Sequence, residues 1–401
     1  MISPPVNTEA PARFAAASLF ALLFLNMLGF GIIMPLLPFY AKSFGAPAWQ
    51  IALIFSAYSI GTFFGEPFWG RMSDRYGRKP LLILTIVASA ICYVGMAFAP
   101  SVWAAFFIRL GGGLFSGSGS ITQGYIADVT PAARRPRAMG YNAAVSNLGL
   151  IVGPSLGGLF AQPNAGHAGF RLPFLIAAGL FATSAVCIAM FVRESRVHDR
   201  SISHPAPWEG VAQVVRHPVI GRLMCLTFVT GFAFQGIEAI FALWTQARYG
   251  WGPQEIGIAL GIVGIASATS QLLLTAPLAR WLGQGAALGT GIALTGVTLA
   301  LQPLAGSSAV TVLLLTLTAI GQSVVWPYVL AMISTAADPH RQGQVLGLNN
   351  SVGALSRVVG PFCAGLAFST ISRDSPYFVA ALVVLSTVWL ALAAARRVAP
   401  I

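Results

Sequence analysis

The feature that most constrains this chain is a series of about twelve apolar blocks, most near 20 residues long and almost free of charge, separated by short polar or Pro/Gly-rich breaks. A helix of that length spans a hydrocarbon core of roughly 30 Å, and lipid favours helices because it offers a bare backbone no hydrogen bonds. The first six blocks run from about Phe14 to Tyr40, Trp49 to Trp69, Leu81 to Ala99, Val102 to Ala127, Ala138 to Ala161 and Leu172 to Val192. The second six run from about Val219 to Gln246, Glu255 to Ala279, Ala286 to Ala305, Val310 to Ala336, Gly343 to Ile371 and Tyr377 to Ala395. Water is excluded as the solvent, because soluble helices need a polar face. Only 8% of the 401 residues are charged, against roughly 25% in soluble domains. The sequence therefore predicts an all-α polytopic membrane protein with twelve spans. Block 1 is too long for a signal peptide and lacks a small-residue cleavage site, so it is expected to stay.

Basic residues set the expected orientation. With the N-terminus inside, 17 Lys and Arg fall on the cytoplasmic side, four outside (Lys42, Arg171, Arg248, Arg373) and two, Arg109 and Arg357, within spans. Both termini are accordingly expected in the cytoplasm. The longest polar stretch, 193–218, separates spans 6 and 7. It divides the chain into an N-terminal six-helix bundle (1–192), a central cytoplasmic loop (193–218) and a C-terminal six-helix bundle (219–401). Within the loop, Trp208 to Arg216 has the pattern of a short amphipathic surface helix.

The net charge of +12 does not point to nucleic acid: the arginines sit in short loops, with no basic stripe or aromatic platform. Each of the four cysteines stands alone in an apolar block, and the five histidines are far apart in predicted loops. No disulfide framework, metal site or cofactor motif follows.

The two halves repeat. Gly140, Asn142, Gly153, Pro154 and Gly158 of span 5 recur 207 residues later as Gly347, Asn349, Gly360, Pro361 and Gly365 of span 11. Phe44-Gly45 and Ile51 match Tyr249-Gly250 and Ile256 at 205, and Gly77 has its counterpart in Gly283. With six spans per half the repeats share one orientation, so a binding site is expected at the seam between them.

Three motifs carry more. After span 2 comes Gly70-Arg71-Met72-Ser73-Asp74-Arg75-Tyr76-Gly77-Arg78-Lys79. Its glycines allow a tight turn, and its acid suits a facing helix N-terminus. Span 5 carries Gly149, Gly153, Pro154, Gly157 and Gly158. Glycines four apart make one smooth face, so a neighbouring backbone can approach closely, and a proline permits a bend. Span 4 opens with Ile108-Arg109-Leu110-Gly111-Gly112-Gly113.

Together these motifs resemble the major facilitator superfamily, and within it the twelve-helix drug:proton antiporters that include tetracycline efflux proteins. The resemblance covers both halves and is stronger in the first. It implies two six-helix bundles around a central cavity lined by spans 1, 4, 7 and 10, a monomer, and a bacterial cytoplasmic membrane. It implies that Gly70, Asp74, Arg75, Gly77 and Arg78 form a conformational latch with Asp128 at the end of span 4, the acid Asp74 lying near span 11. It implies that the span 5 glycines mark an antiporter and that Arg109 is linked to proton coupling. Two positions depart from the pattern: Gly112 replaces the usual glutamine, and Asn26 stands where tetracycline exporters carry an aspartate.

Charges inside spans narrow the candidates, since each costs about 2.5–3.5 kcal/mol near the bilayer centre unless it has a partner, a cavity or a proton. Glu238 in span 7 and Arg109 in span 4 lie at similar depths from the outer surface. They are expected to face one another, Glu238 as a proton or cationic-substrate site tuned by Arg109, or both as a structural ion pair. A carboxylate in such a place takes up a proton when desolvated and releases it when solvated or paired. Glu66 near the inner end of span 2 is a functional group or a snorkelling one, and Arg357 faces the cavity or pairs with Glu238. Asn26, Phe30 and Met34, then Ser116, Ser120 and Gln123, then Phe234, Gln235 and Phe241, and finally Gln322 and Trp326 make a candidate polar and aromatic lining.

The sequence thus predicts a secondary transporter that exports amphipathic drugs or metabolites against protons. The alternative is a transporter for one small molecule such as a sugar, siderophore or organic anion. No phosphate-binding Gly-Lys-Ser/Thr motif supports direct ATP drive. Neither paired acids nor a nucleophile with its base stands within the spans, so an enzyme is not expected.

Overall fold

The computed structural model describes residues 9–130, 135–195, 217–337 and 342–395. The proposed surface helix Trp208 to Arg216 lies outside them, as do loop arginines such as Arg134, Arg196 and Arg341. The described chain is helical throughout, with no strand among the described residues.

In the N-terminal half the helices are α1 (Glu9–Ile33, continued by a 3-10 turn Met34–Leu36 and by Leu37–Lys42), α2 (Ala48–Tyr76) and α3 (Arg78–Ala97), followed by α4 (Val102–Leu114 and Ser118–Val129), α5 (Arg135–Phe160) and α6 (Arg171–Phe191). In the other half they are α7 (Ile220–Tyr249), α8 (Pro253–Leu282), α9 (Gln284–Leu301), α10 (Ser308–Ala336), α11 (Gln342–Thr370) and α12 (Ser375–Ser386 and Val388–Ala395). Ten of these hold a stretch long and apolar enough to cross a bilayer. In α5 the apolar stretch is shorter, Ala144–Phe160, and α4 is interrupted at Phe115–Gly117. Large side chains such as Leu272 and Trp281, each 81% exposed, face outward where a soluble protein would place charge.

The interruptions have local causes. Pro35 and Pro38 remove backbone donors and tighten α1 into its 3-10 turn. Tyr58 and Gly61 of α2 press directly on Gly113 of α4. Where α4 breaks, the freed Leu114 carbonyl accepts a hydrogen bond from Trp69 Nε1 at 2.7 Å. One expectation needs correction: the segment after span 2 is not a loop. Helix α2 runs on to Tyr76, and the turn is confined to Gly77, whose φ of +100° suits only glycine. Its repeat partner Gly283 turns in the same way at φ +78°.

The buried core falls into two clusters. One draws mainly on residues 22–192, the other on 219–391. Ala239, Phe241, Leu243, Trp251 and Ile256 belong to the first cluster although they lie in the second half of the chain. They mark where the halves are pressed together.

That seam follows the repeat contact by contact. Gly149 and Gly153 of α5 lie against the α1 backbone at Leu28 and Gly31, and Gly157 sits on the Ile32 carbonyl. Gly158 and Pro154 turn instead to α8, meeting Pro253 and Gly257. In the second half Gly360 of α11 packs on Phe232 and Gly236 of α7, while Gly365 meets Ala48 and Ala52 of α2. So α5 and α11 each bind one helix of their own half and one of the other.

The cross-half contacts cluster toward one face. Lys42 Nζ donates to Gln246 Oε1 at 2.7 Å, and Ser56 Oγ donates to the Val358 carbonyl at 2.8 Å. Toward the opposite, arginine-rich face, α2 and α11 part around a cavity of about 520 Å³ that reaches Gly70, Arg71 and Asp74.

Candidate functional site

A central cavity of about 470 Å³ lies above this vestibule. Its walls are mostly N-terminal: Phe30 and Met34 of α1, Tyr58 and Thr62 of α2, Tyr93 of α3, Arg109 of α4 and Phe181 of α6 all face it. The second half adds only Gln235, Arg357 and Pro361. The expected lining by spans 1, 4, 7 and 10 is thereby corrected, because α10 does not reach the chamber and α2 supplies a full stripe. Tyr58, Thr62 and Glu66 stand four residues apart on one face of that helix.

Arg109 is 5% exposed. Its guanidinium carbon lies 4.5 Å from the centre of the Tyr58 ring, a cation–π stack that replaces part of the lost hydration. The Tyr58 hydroxyl donates to Ser116 Oγ at 3.1 Å, and Tyr93 flanks the guanidinium on another side. Arg109 Nε has no hydrogen-bond partner, and neither has Asn26 Oδ1, on a residue 4% exposed and lining the same chamber.

Glu66 and Arg357 sit at the junction of the two cavities and line both. They lie within electrostatic reach of each other across the seam, so the acid that Arg357 meets is Glu66. Sequence offered Arg357 a place in the cavity or a pairing with Glu238, and the structure gives it the cavity with Glu66 beside it.

Glu238 occupies a separate, smaller pocket of about 90 Å³. Phe234, Phe241, Pro38 and Leu260 surround it, with Thr318 as a polar neighbour. Gln235, one turn earlier, is its side-chain partner. The expected face-to-face arrangement of Glu238 and Arg109 is corrected: they line different chambers, and no ion pair joins them among the described residues. Helix α1 contributes to both walls, with Phe30 on the central chamber and Pro35 and Pro38 on the smaller pocket. Met34 lines both chambers, so they adjoin.

Other expected lining residues scatter. Gln123 is exposed. Trp326 lines the vestibule, Ser120 Oγ donates to the Glu66 carbonyl, and Gln322 has its Oε1 buried without a partner. Depth and residue type placed these positions near the centre, but helix rotation, which hydropathy alone does not define, decided their direction.

At the arginine-rich face three of the residues expected to form a latch, Asp74, Arg78 and Asp128, lie together. Arg78, 7% exposed, makes a 2.6 Å ion pair with Asp74 and a 3.1 Å pair with Asp128 Oδ2. Its third branch donates to Ser73 Oγ at 2.7 Å. Asp74 also lines the vestibule with Gly347 and Asn350 of α11. Glu194, absent from the sequence candidates, caps the start of α3 by accepting from the Arg78 and Lys79 backbone N–H groups at 2.8 and 3.1 Å. Its signal was an acid just after span 6, on the side where span 3 begins.

Comparisons with known proteins agree with this fold. The family model of the Major Facilitator Superfamily matches residues 19–361, and again 223–400. The chain is 28% identical over 371 residues to multidrug resistance protein 2 of Bacillus subtilis (strain 168), covering 90% of each chain. It is 29% identical over 344 residues to the class G tetracycline resistance protein of Vibrio anguillarum, covering 84% of this chain and 86% of that one. Among solved structures it is similar to the nucleoside transporter NupG (TM-score 0.79, 14% identity, covering 95% of this chain and 99% of that one). It is also similar to the human organic anion transporter MFSD10 (TM-score 0.70, 23% identity, 97% and 100%). At these identities the structures speak for the fold alone.

Proposed function

Since the chain belongs to the Major Facilitator Superfamily, we propose that it is a proton-coupled exporter of drugs or other amphipathic small molecules. One observation carries this reading: an aromatic chamber of about 470 Å³ at the seam, shut toward one face by cross-half contacts and continuous with a vestibule at the other. Chambers that combine aromatic walls with convergent polar groups suit amphipathic cargo. The curated relatives, named for multidrug and tetracycline resistance, support export.

The arginine-rich face is read as cytoplasmic by the positive-inside rule, with both termini there and the chain in a bacterial cytoplasmic membrane. The structure then represents the inward-open state. Residues 1–192 and 219–401, joined by the loop 193–218, rock about the α5–α8 and α2–α11 seams. The glycines at those seams allow close contact without interlocking side chains, so the seams can part. Closure of the arginine-rich face would bring the Asp74 end of α2 toward α11. Glu238, in an apolar pocket, and Glu66, where the chamber meets the vestibule, are the carboxylates that take the proton. An isolated carboxylate in low dielectric is costly when charged, so proton uptake and release there couples to which face water can reach. A second reading, transport of a specific organic anion, is favoured by two arginines in one cavity.

Everted membrane vesicles from an efflux-deficient bacterial host test this. Adding a ΔpH, acid inside, should drive a fluorescent amphiphile into vesicles that contain the protein. Glu238→Gln or Glu66→Gln should abolish the ΔpH dependence. Accumulation that ignores the gradient in the wild type would refute proton-coupled export.

A further inference from the structure

Among the described residues two intramembrane charges have no counter-charge. Arg109, on the central chamber, keeps an unpartnered Nε although it is 95% buried. Tyr58 covers its face and Tyr93 its flank, and no acid among the described residues answers its charge where it lines the chamber. Glu238, in the adjoining pocket, meets phenylalanines, aliphatics and Gln235 but no cation. Arg357 and Glu66 offset one another at the vestibule end. One uncompensated cation and one uncompensated anion therefore occupy neighbouring chambers. Met34 lines both, and Gln235 faces the first while contacting the acid of the second.

We propose that the preferred cargo is a zwitterionic amphiphile, its carboxylate held at Arg109 in the central chamber and its protonated amine at Glu238 in the adjoining pocket. This rests on the export reading above and specifies its substrate class. A purely cationic ligand would answer Glu238 and leave Arg109 bare; a purely anionic one would do the reverse. A site whose buried polar groups are left unpaired rejects the wrong ligand strongly, whereas apolar walls discriminate weakly between isosteres. The unpartnered Asn26 Oδ1 on the same chamber offers a further acceptor to a hydroxyl or N–H of the cargo. The aromatic walls, Phe30, Tyr58 and Phe181 on one side and Phe234 and Phe241 on the other, suit a flat hydrophobic middle.

The test uses the full chain in proteoliposomes and three probes: a piperazinyl quinolone carboxylic acid, its methyl ester and its N-acetyl derivative. Equilibrium binding is read from quenching of tryptophan fluorescence. The zwitterion should bind at least about tenfold more tightly than either derivative. Glu238→Gln should erase its advantage over the N-acetyl form, and Arg109→Gln its advantage over the ester. Should Arg109→Gln fail to fold, Arg109→Lys keeps the charge and should keep the preference over the ester. Equal binding of a singly charged derivative to wild type overturns the proposal while export stands. Equal weakening of all three probes in each variant also overturns it. Failure of wild type to bind any probe counts against the proposal and the export reading together.

Discussion

Gly153 and Gly257 pose the same steric problem in two different places, and that difference isolates the hinge. A Cβ added to Gly153 would fall 2.6 Å from the Gly31 carbonyl carbon of α1, and one added to Gly257 would fall 2.6 Å from the Pro154 carbonyl oxygen of α5. Ordinary contact begins at 3.4 Å, so each helix pair must separate by about 0.8 Å. Such overpacking costs about 1–3 kcal/mol. Gly153→Ala strains α1 against α5 inside one half, a contact that rocking leaves intact, so the penalty falls on the whole folded protein. Gly257→Ala strains α8 against α5 across the seam, a contact present only while this face is closed. Its penalty should shift the conformational equilibrium by about 5- to 150-fold toward the state open at the Lys42–Gln246 face. Spin labels at Ser43 and Ala247, both exposed beside the Lys42–Gln246 bond, would report this in a variant lacking the four native cysteines. Gly257→Ala should populate a longer distance with little change in melting temperature. Gly153→Ala should lower the melting temperature and leave the distances unchanged. If Gly257→Ala left the distance distribution as in wild type, or Gly153→Ala opened it equally, the seam would not be the moving part.

Three further outcomes follow. Arg78→Gln should sharply lower yield and melting temperature, because removing one member of a buried charge cluster costs up to roughly 3–5 kcal/mol. Asp74 and Asp128 are 26% and 24% exposed, so the effect should fall at or below the low end of that range; Asp128→Asn should be milder still, since Arg78 keeps Asp74. Glu194→Ala removes the cap on two backbone N–H groups of α3 and should cost about 0.5–2 kcal/mol, read as a modest fall in thermal stability in detergent. Ser56→Ala deletes one hydroxyl–carbonyl bond across the seam, worth about 0.5–1.5 kcal/mol, and should shift the Ser43–Ala247 distances in the same direction as Gly257→Ala but less.

Much of the site was legible because some positions carry their constraint in their chemistry. Asp74, Arg78 and Asp128, grouped by the family resemblance, do form ion pairs, Arg78 with each of the two acids. The span 5 glycines were readable as a contact face, yet not that Gly149, Gly153 and Gly157 serve one partner while Gly158 serves another. Tyr58 and Thr62 went unremarked although they continue the stripe that ends in Glu66. Gln322 and Trp326 were placed by depth alone, and packing left Gln322 with a buried Oε1 and set Trp326 on the vestibule instead of the central chamber.

By itself the sequence determined the solvent, the order of apolar blocks, the repeat and the basic face, because each follows from one-dimensional quantities: length, charge and period. Tertiary structure alone decided which charges meet. Glu238 and Arg109 came to line separate pockets on either stretch of α1, and the packing of α2 against α11 gave Arg357 its neighbour in Glu66. Rotation of a helix about its axis and the angle of its kink come from packing against other helices, and no single stretch of sequence contains both partners of such a contact.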